Sequence, residues 1–202
     1  MYAIVEDNNI TQYINFPKSV VIGDVRYPAK IFQLWSQSEK ESIGIYEIIV
    51  DKTNYKDPAY YNNTDSSYTF ADGQVTESWG IATAKDLEDR NATDQDGVEL
   101  NPIVVIEGLK TQKKRIVKEQ ARTLLERSDW HNHKALDDDT YTIPENIKTY
   151  RANVRAKSNE METQIDACNN VDELKTLYEY VNTGTEQNPV YERPLAEFPK
   201  EI

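Results

Sequence analysis

The chain has a single cysteine, Cys168, in 202 residues, which excludes an intramolecular disulfide and any multi-cysteine zinc site. No apolar run approaches the roughly 20 residues of a membrane span, and no early apolar stretch follows a basic start, so a soluble protein made in the cytoplasm is expected. There is no Gly-rich phosphate loop, no Gly-x-Ser-x-Gly turn and no Cys-His nucleophile arrangement. Carboxylates abound, but a carboxylate without burial is no general acid. The sequence therefore points away from an enzyme, a glycan hydrolase included, and toward a protein with no catalytic residue and no cofactor. Apolar content is also low, at 38% hydrophobic residues and a mean hydropathy of −0.74. Part of the surface is expected to be extended or shared with partners.

What is present in excess is negative charge. The formal net charge is −12, which disfavours nucleic acid and anionic membranes as principal partners, since both require clustered cations. Residues 1–106 hold 8 Lys and Arg against 17 Asp and Glu, whereas 107–202 hold 15 against 18. The second half is enriched in cations by Lys110, Lys113, Lys114, Arg115, Lys118 and Arg122. These read as solvated residues of one exposed helix face, balancing the acidic front half, rather than as a nucleic-acid stripe.

The front half reads as strands. Tyr2–Glu6 and Ile10–Ile14 flank Asp7-Asn8-Asn9, residues that tolerate the positive φ of a tight hairpin turn. A helix is expected from Pro28, with Ile31, Leu34 and Trp35 on one face, and then a strand over Ile45–Val50. Residues 51–67 read as an exposed loop. A second hairpin should form around Ala71-Asp-Gly73, its second strand carrying Val75, Glu77, Trp79 and Ile81 on one face, with Glu77 at a sheet edge. The tyrosines near the Asn-rich loop, Tyr55, Tyr60, Tyr61 and Tyr68, suit either contact with a partner or half-buried edge positions. Residues 84–102 are acidic and read as a linker, and Ile103–Ile106 as a short apolar run that docks on the sheet or on a neighbouring subunit.

The back half reads as helices. Val117, Ala121, Leu124 and Leu125 fall on one face of a helix from about Leu109 to Arg127. Ile147, Tyr150, Val154, Met161 and Ile165 mark a second, with Thr142 and Glu145 at capping-box spacing and Pro144 in its first turn. Two such helices form an antiparallel pair most simply, with Trp130 as a wedge between them and Asp129 paired with Arg151 or Arg155. Between them, His131-Asn-His133 and Asp137–Asp139 read as a solvated acidic loop that binds no structural metal. Cys168 is expected as a small apolar filler. Asn170 and Glu173 cap a third helix with Leu174, Leu177, Tyr178 and Val181 on its face and Gly184 as its stop. Residues 185–202 read as an extended arm whose Val190, Tyr191, Leu195 and Phe198 bind a partner.

At Arg122-Thr-Leu-Leu-Glu-Arg-Ser-Asp-Trp130 and Tyr150-Arg-Ala-Asn-Val-Arg155 the chain resembles the phage tail assembly chaperone domain. That domain is found in tail-fibre assembly proteins and related tail proteins of tailed bacteriophages. The resemblance covers about a third of the chain and rests on Arg122, Leu124, Leu125, Ser128, Asp129, Trp130, Tyr150, Arg151 and Arg155. It implies a helical pair that works by protein–protein contact with other tail proteins, fibre or adaptor subunits. It also implies a homo-oligomer in the tail of the virion, assembled in the host cytoplasm, with a departing chaperone as the alternative. The expected architecture is α+β: a strand-rich module over 1–84, an acidic linker over 85–107, a helical module over 108–184 and the arm over 185–202.

Overall fold

A computed structural model describes residues 1–200. The protein is mixed α+β, with strands through the first 79 residues and helices between 109 and 178. It divides into two compact units, 1–83 and 84–202.

The N-terminal unit is built on a five-stranded sheet of order β2-β1-β5-β8-β7. It contains β1 (Tyr2–Glu6), β2 (Asn9–Ile14), β3 (Val20–Ile22), β4 (Val25–Tyr27), β5 (Ile45–Asp51), β6 (Tyr61–Asn62), β7 (Ser66–Ala71) and β8 (Gln74–Trp79), and ends at β9 (Thr83–Ala84). Two-residue turns at Asp7-Asn8 and Asp72-Gly73, all four residues with φ between 50° and 75°, set the registers Glu6↔Asn9 and Ala71↔Gln74. Positive φ at both central positions matches the twist of hairpin strands, which is why Asn, Asp and Gly stand there. One sheet face buries Ile4, Ile14 and Ile45 under Val20, Ile31 and Phe32. On the other, Ala3, Val5, Ile48 and Val75 lie beneath Tyr46, Tyr68 and Phe70. The edge strands β2 and β7 meet through Tyr13 and Tyr68, ring centroids 4.6 Å apart, so the sheet curls around this second core.

Three expectations for this unit change. The helix expected from Pro28 is two short pieces, α1 (Ile31–Leu34) and α2 (Gln37–Glu41). Trp35 is extended between them, and Ser36 starts α2 with a complete capping box to Glu39. Phe32 takes the buried place, and Leu34 is 75% exposed. Glu77 is not at an edge, because β8 lies between β5 and β7. It faces inward and accepts a 2.8 Å hydrogen bond from the Tyr68 hydroxyl, a bond that is also the main reason the Tyr68 pKa is raised. Within the expected loop, Tyr60 and Tyr61 are buried.

The second unit contains β10 (Arg90–Asn91), β11 (Val105–Ile106), α3 (Leu109–Glu126), α4 (Asp129–Asp137), α5 (Glu145–Ala167), α6 (Val171–Tyr178), β12 (Val181–Asn182) and β13 (Tyr191–Glu192). The segment expected as an acidic linker is an antiparallel hairpin, β10 on β11. Its base is fastened to the start of α3: the Leu109 and Lys110 N–H groups donate to the carbonyls of Asp86 and Leu87, and the Gly108 N–H to Asp89 Oδ1 at 2.7 Å. These are orphan donors of a helix N-terminus, satisfied here by the carbonyls of the segment that precedes β10 and by a carboxylate. Gly108 is required for the approach, since a Cβ there would stand 2.3–2.4 Å from the Glu88 carbonyl group.

Candidate functional site

The residues that carry the resemblance converge at the joint between α3, α4 and α5. The helices α3 and α5 run antiparallel, with Lys114 on Asp166 at 2.7 Å, Lys118 on Glu162 at 3.2 Å and Arg151 beside Leu125. Ala121, Tyr150 and Val154 form one cluster between them, with Leu124, Leu125 and Phe198 half-buried against it, and Val117, Met161 and Ile165 are buried further along the same two helices.

Arg151 organises the joint. Its Nη1 donates to the Leu125 carbonyl at 2.8 Å and to Ser128 Oγ at 2.7 Å, and its Nη2 to Asp129 Oδ1 at 2.7 Å. Leu125 lies in the last turn of α3, where carbonyls lose their intrahelical partners, and Asp129 opens α4, where a carboxylate complements the helix dipole. One guanidinium thus closes the first helix and anchors the second. Its planar fork allows this, and an ammonium could not reproduce it. Arg155, one turn further along α5, is exposed and lines a groove of about 500 Å³ with Lys118, Arg122, Arg151, Asp129 and Glu126.

Trp130 is not the wedge. The chain re-enters a helix at Asp129 instead of forming a long loop, so Trp130 turns outward, 54% exposed, and the next residue, His131, turns in. The Trp130 ring stacks on His131 at 3.7 Å between centroids, and His131 Nδ1 is hydrogen-bonded to the Tyr141 hydroxyl. Lys134 stands 4.4 Å over the Tyr141 ring. The stretch expected as a solvated loop is therefore mostly the helix α4. The capping box expected from Thr142 and Glu145 is absent too: Pro144 is the N-cap of α5, with no side-chain cap bond. Among the described residues no group of three or more His, Cys, Asp and Glu side chains has the geometry to hold a metal ion.

The basic residues of α3 are occupied within their own unit. Besides Lys114 and Lys118, Lys110 reaches Glu88 at 2.6 Å and the Asp166 carbonyl at 2.9 Å. Arg115 pairs with Glu107, Arg122 with Glu126, and Lys113 lies 4.7 Å over the Tyr178 ring. Of these acids, Glu88 belongs to the acidic first 106 residues, and Asp166, Glu162, Glu107 and Glu126 lie in the helical half of the chain. The hydrogen bond from Lys114 to Asp166 is the leading reason its pKa is raised.

The arm is also not free. Asn170 caps α6 as expected, accepting from the Glu173 N–H at 2.9 Å, but the helix stops at Tyr178 and Val181 pairs as a strand with Glu192. The chain then returns to the helices. The Leu195 N–H donates to the Leu177 carbonyl at 3.0 Å, the Ala196 N–H to Gln164 Oε1 at 2.8 Å, and Leu195 is 2% exposed. Of the four residues expected to bind a partner, Leu195 and Phe198 face this unit's own core, whereas Val190 and Tyr191 are exposed. Cys168 is buried at the end of α5, its thiol pKa pushed up by that burial.

Sequence reasoning singled out the apolar run Ile103–Ile106 as a docking segment but missed the β10–β11 hairpin that presents it. Val98, Leu100, Ile103, Val104, Val105 and Ile106 are all between 37% and 63% exposed. The signal was the unbroken Ile-Val-Val-Ile run, with Asp94 and Gly97 supplying the turn that closes the hairpin. No family model matches the chain, and no curated protein or solved structure matches it either.

Proposed function

We propose that this chain is a structural adaptor of a bacteriophage tail, joining a tail structure to a fibre or a neighbouring adaptor through protein–protein contacts, as part of a homo-oligomer. The resemblance at Arg122–Arg155 supplies the tail assignment. The observation that carries the contact role is the apolar hairpin: in a chain of mean hydropathy −0.74, six aliphatic residues of one hairpin face solvent. Exposed apolar residues concentrated in one hairpin of a chain otherwise this polar favour an interaction site. The Arg151 joint supports the same reading, since its hydrogen bonds tie the end of α3 and the start of α4 to α5 and leave Trp130 and Arg155 outward.

The second reading, a chaperone that helps fibres assemble and then departs, is favoured by the returned arm. A segment satisfied by its own unit needs no neighbour to order it. Mass spectrometry of purified particles separates the two. The adaptor reading expects full-length chain in fixed copy number in infectious particles. Chain present in the assembling lysate and absent from those particles would replace it with the chaperone reading.

A further inference from the structure

We propose that the groove between α3 and α5 beside the Arg151 joint takes a side-chain carboxylate from an acidic segment of a partner protein, held between Arg122 and Arg155. The inference rests on the reading of the chain as a contact-making component, and it names the chemistry of the partner at this surface.

A ladder of ion pairs crosses the two helices. Lys114 of α3 reaches Asp166 of α5 at 2.7 Å, and one turn on Lys118 reaches Glu162 at 3.2 Å. Four residues forward on α3 are thus matched by four residues back on α5, as the helical repeat of an antiparallel pair requires. The next rung falls on Arg122 and position 158, and there the pattern breaks. That position holds Ser158, 7% exposed, and the nearby α5 residue that lines the groove, Arg155, is a second cation. Arg122 turns instead to Glu126 on its own helix, at 2.8 Å.

Arg155 has no such recourse. The places three and four residues from it along α5 hold Arg151, Ala152, Ser158 and Asn159, none of them an acid. Of the Lys and Arg residues in α3, α4, α5 and α6, Arg155 alone makes no ion pair, hydrogen bond or ring contact among the described residues. The groove is therefore short of one carboxylate in a chain that is otherwise rich in them. Four cations line it against only Glu126 and Asp129, while the whole chain carries −12. Two guanidiniums offer planar donor forks that match a carboxylate. A nucleic acid is disfavoured by those two acids and by the net charge.

A synthetic library of random heptapeptides, acetylated at one end and bead-linked at the other, should yield ligands of the full-length protein that contain Asp or Glu. The best of them, released as an amide, should bind about tenfold more weakly by calorimetry to Arg155→Gln. It should weaken as much on Asn159→Glu, in which a carboxylate one turn away pairs with Arg155. Both positions are exposed, so the two melting curves should match the native one. Replacing the acid of the peptide by its amide should cost the same factor. Arg115→Gln, at a residue that pairs with Glu107 and does not line the groove, should bind as the native chain does. A library that yields no ligand or only neutral ones overturns the proposal, as does equal binding to Arg155→Gln. So does displacement of the peptide by equimolar inorganic phosphate or a thymidine oligonucleotide, or a native dimer that Arg155→Gln dissociates, which would make a second copy the occupant. Neutral ligands with the chain present in particles refute this inference alone, and acidic ligands with the chain absent from particles refute the adaptor reading alone.

Discussion

The two units both bury an apolar core, but they fix their polar joints by different means. The N-terminal sheet buries aliphatic and aromatic side chains on both faces, and its polar exception, Glu77, is satisfied by a tyrosine across the strand. The helical unit buries an apolar seam of its own, Val117, Val154, Met161, Ile165 and Leu174 within it, and in addition fixes its joints with charge-assisted bonds, Arg151 at one end and Lys110 at the other. Burial is non-directional, so a sheet core tolerates repacking. A guanidinium with three acceptors specifies one geometry and fails when any substitute lacks the fork. Direction is concentrated in the unit that carries the resemblance.

The largest expected effect lies in the sheet. Ile45→Ala removes a side chain that is 1% exposed and should cost about 2–5 kcal/mol, the range for deleting a buried isoleucine. Residue-resolved hydrogen exchange should show that loss in β1, β5 and β8 and none in α5. Arg151→Ala should reverse the pattern, at about 3 kcal/mol; that is the low end for breaking a buried pair, because Asp129 keeps water contact. Loss of protection confined to α3, α4 and α5 is the expected readout, and Arg151→Lys should recover only part of it. Equal loss in both units for either variant would break the comparison.

Trp130→Ala sharpens it from the other side. An exposed ring stacked on His131 should contribute about 0.5 kcal/mol, as surface substitutions do. A drop of several kcal/mol on thermal melting would show that the ring is core.

The smallest effect concerns Asp89. Its pKa is lowered, chiefly by the bond from the Gly108 N–H and then by Thr111. A depressed folded pKa contributes stability above the ordinary aspartate value, about 3.9, and that contribution is lost as pH falls through the depressed folded value. The Gly108 amide resonance should therefore titrate with a midpoint below the ordinary one. A midpoint at or above it would mean that the carboxylate does not hold the hairpin to α3.

Much of this was legible in sequence because the signals were local. Asp7-Asn8 and Asp72-Gly73 announce their turns, the spacing from Val117 to Leu125 announces α3, and Asn170 with Glu173 announces α6. The Ser36–Glu39 capping box was equally local, and recognising it would have split the helix expected from Pro28. What was hidden depended on distant partners. Trp130 and His131 are neighbours, and which one turns inward is decided by where α4 begins and by Tyr141 ten residues on. The arm has no period of its own because its order comes from Gln164 and Leu177, and the acidic linker is a hairpin because Asp86, Leu87 and Asp89 satisfy the start of α3.

The most direct test of the contact role is incorporation. Particles should be grown in cells supplying either the native chain or the Ile103→Lys, Val105→Lys variant, and the copies per particle counted by quantitative mass spectrometry. The adaptor reading expects a fixed number of native copies and a loss of at least about tenfold for the folded variant, equivalent to about 1.4 kcal/mol of contact energy. Equal incorporation of both chains would contradict the role assigned to the hairpin, and absence of the native chain would contradict its place in the tail.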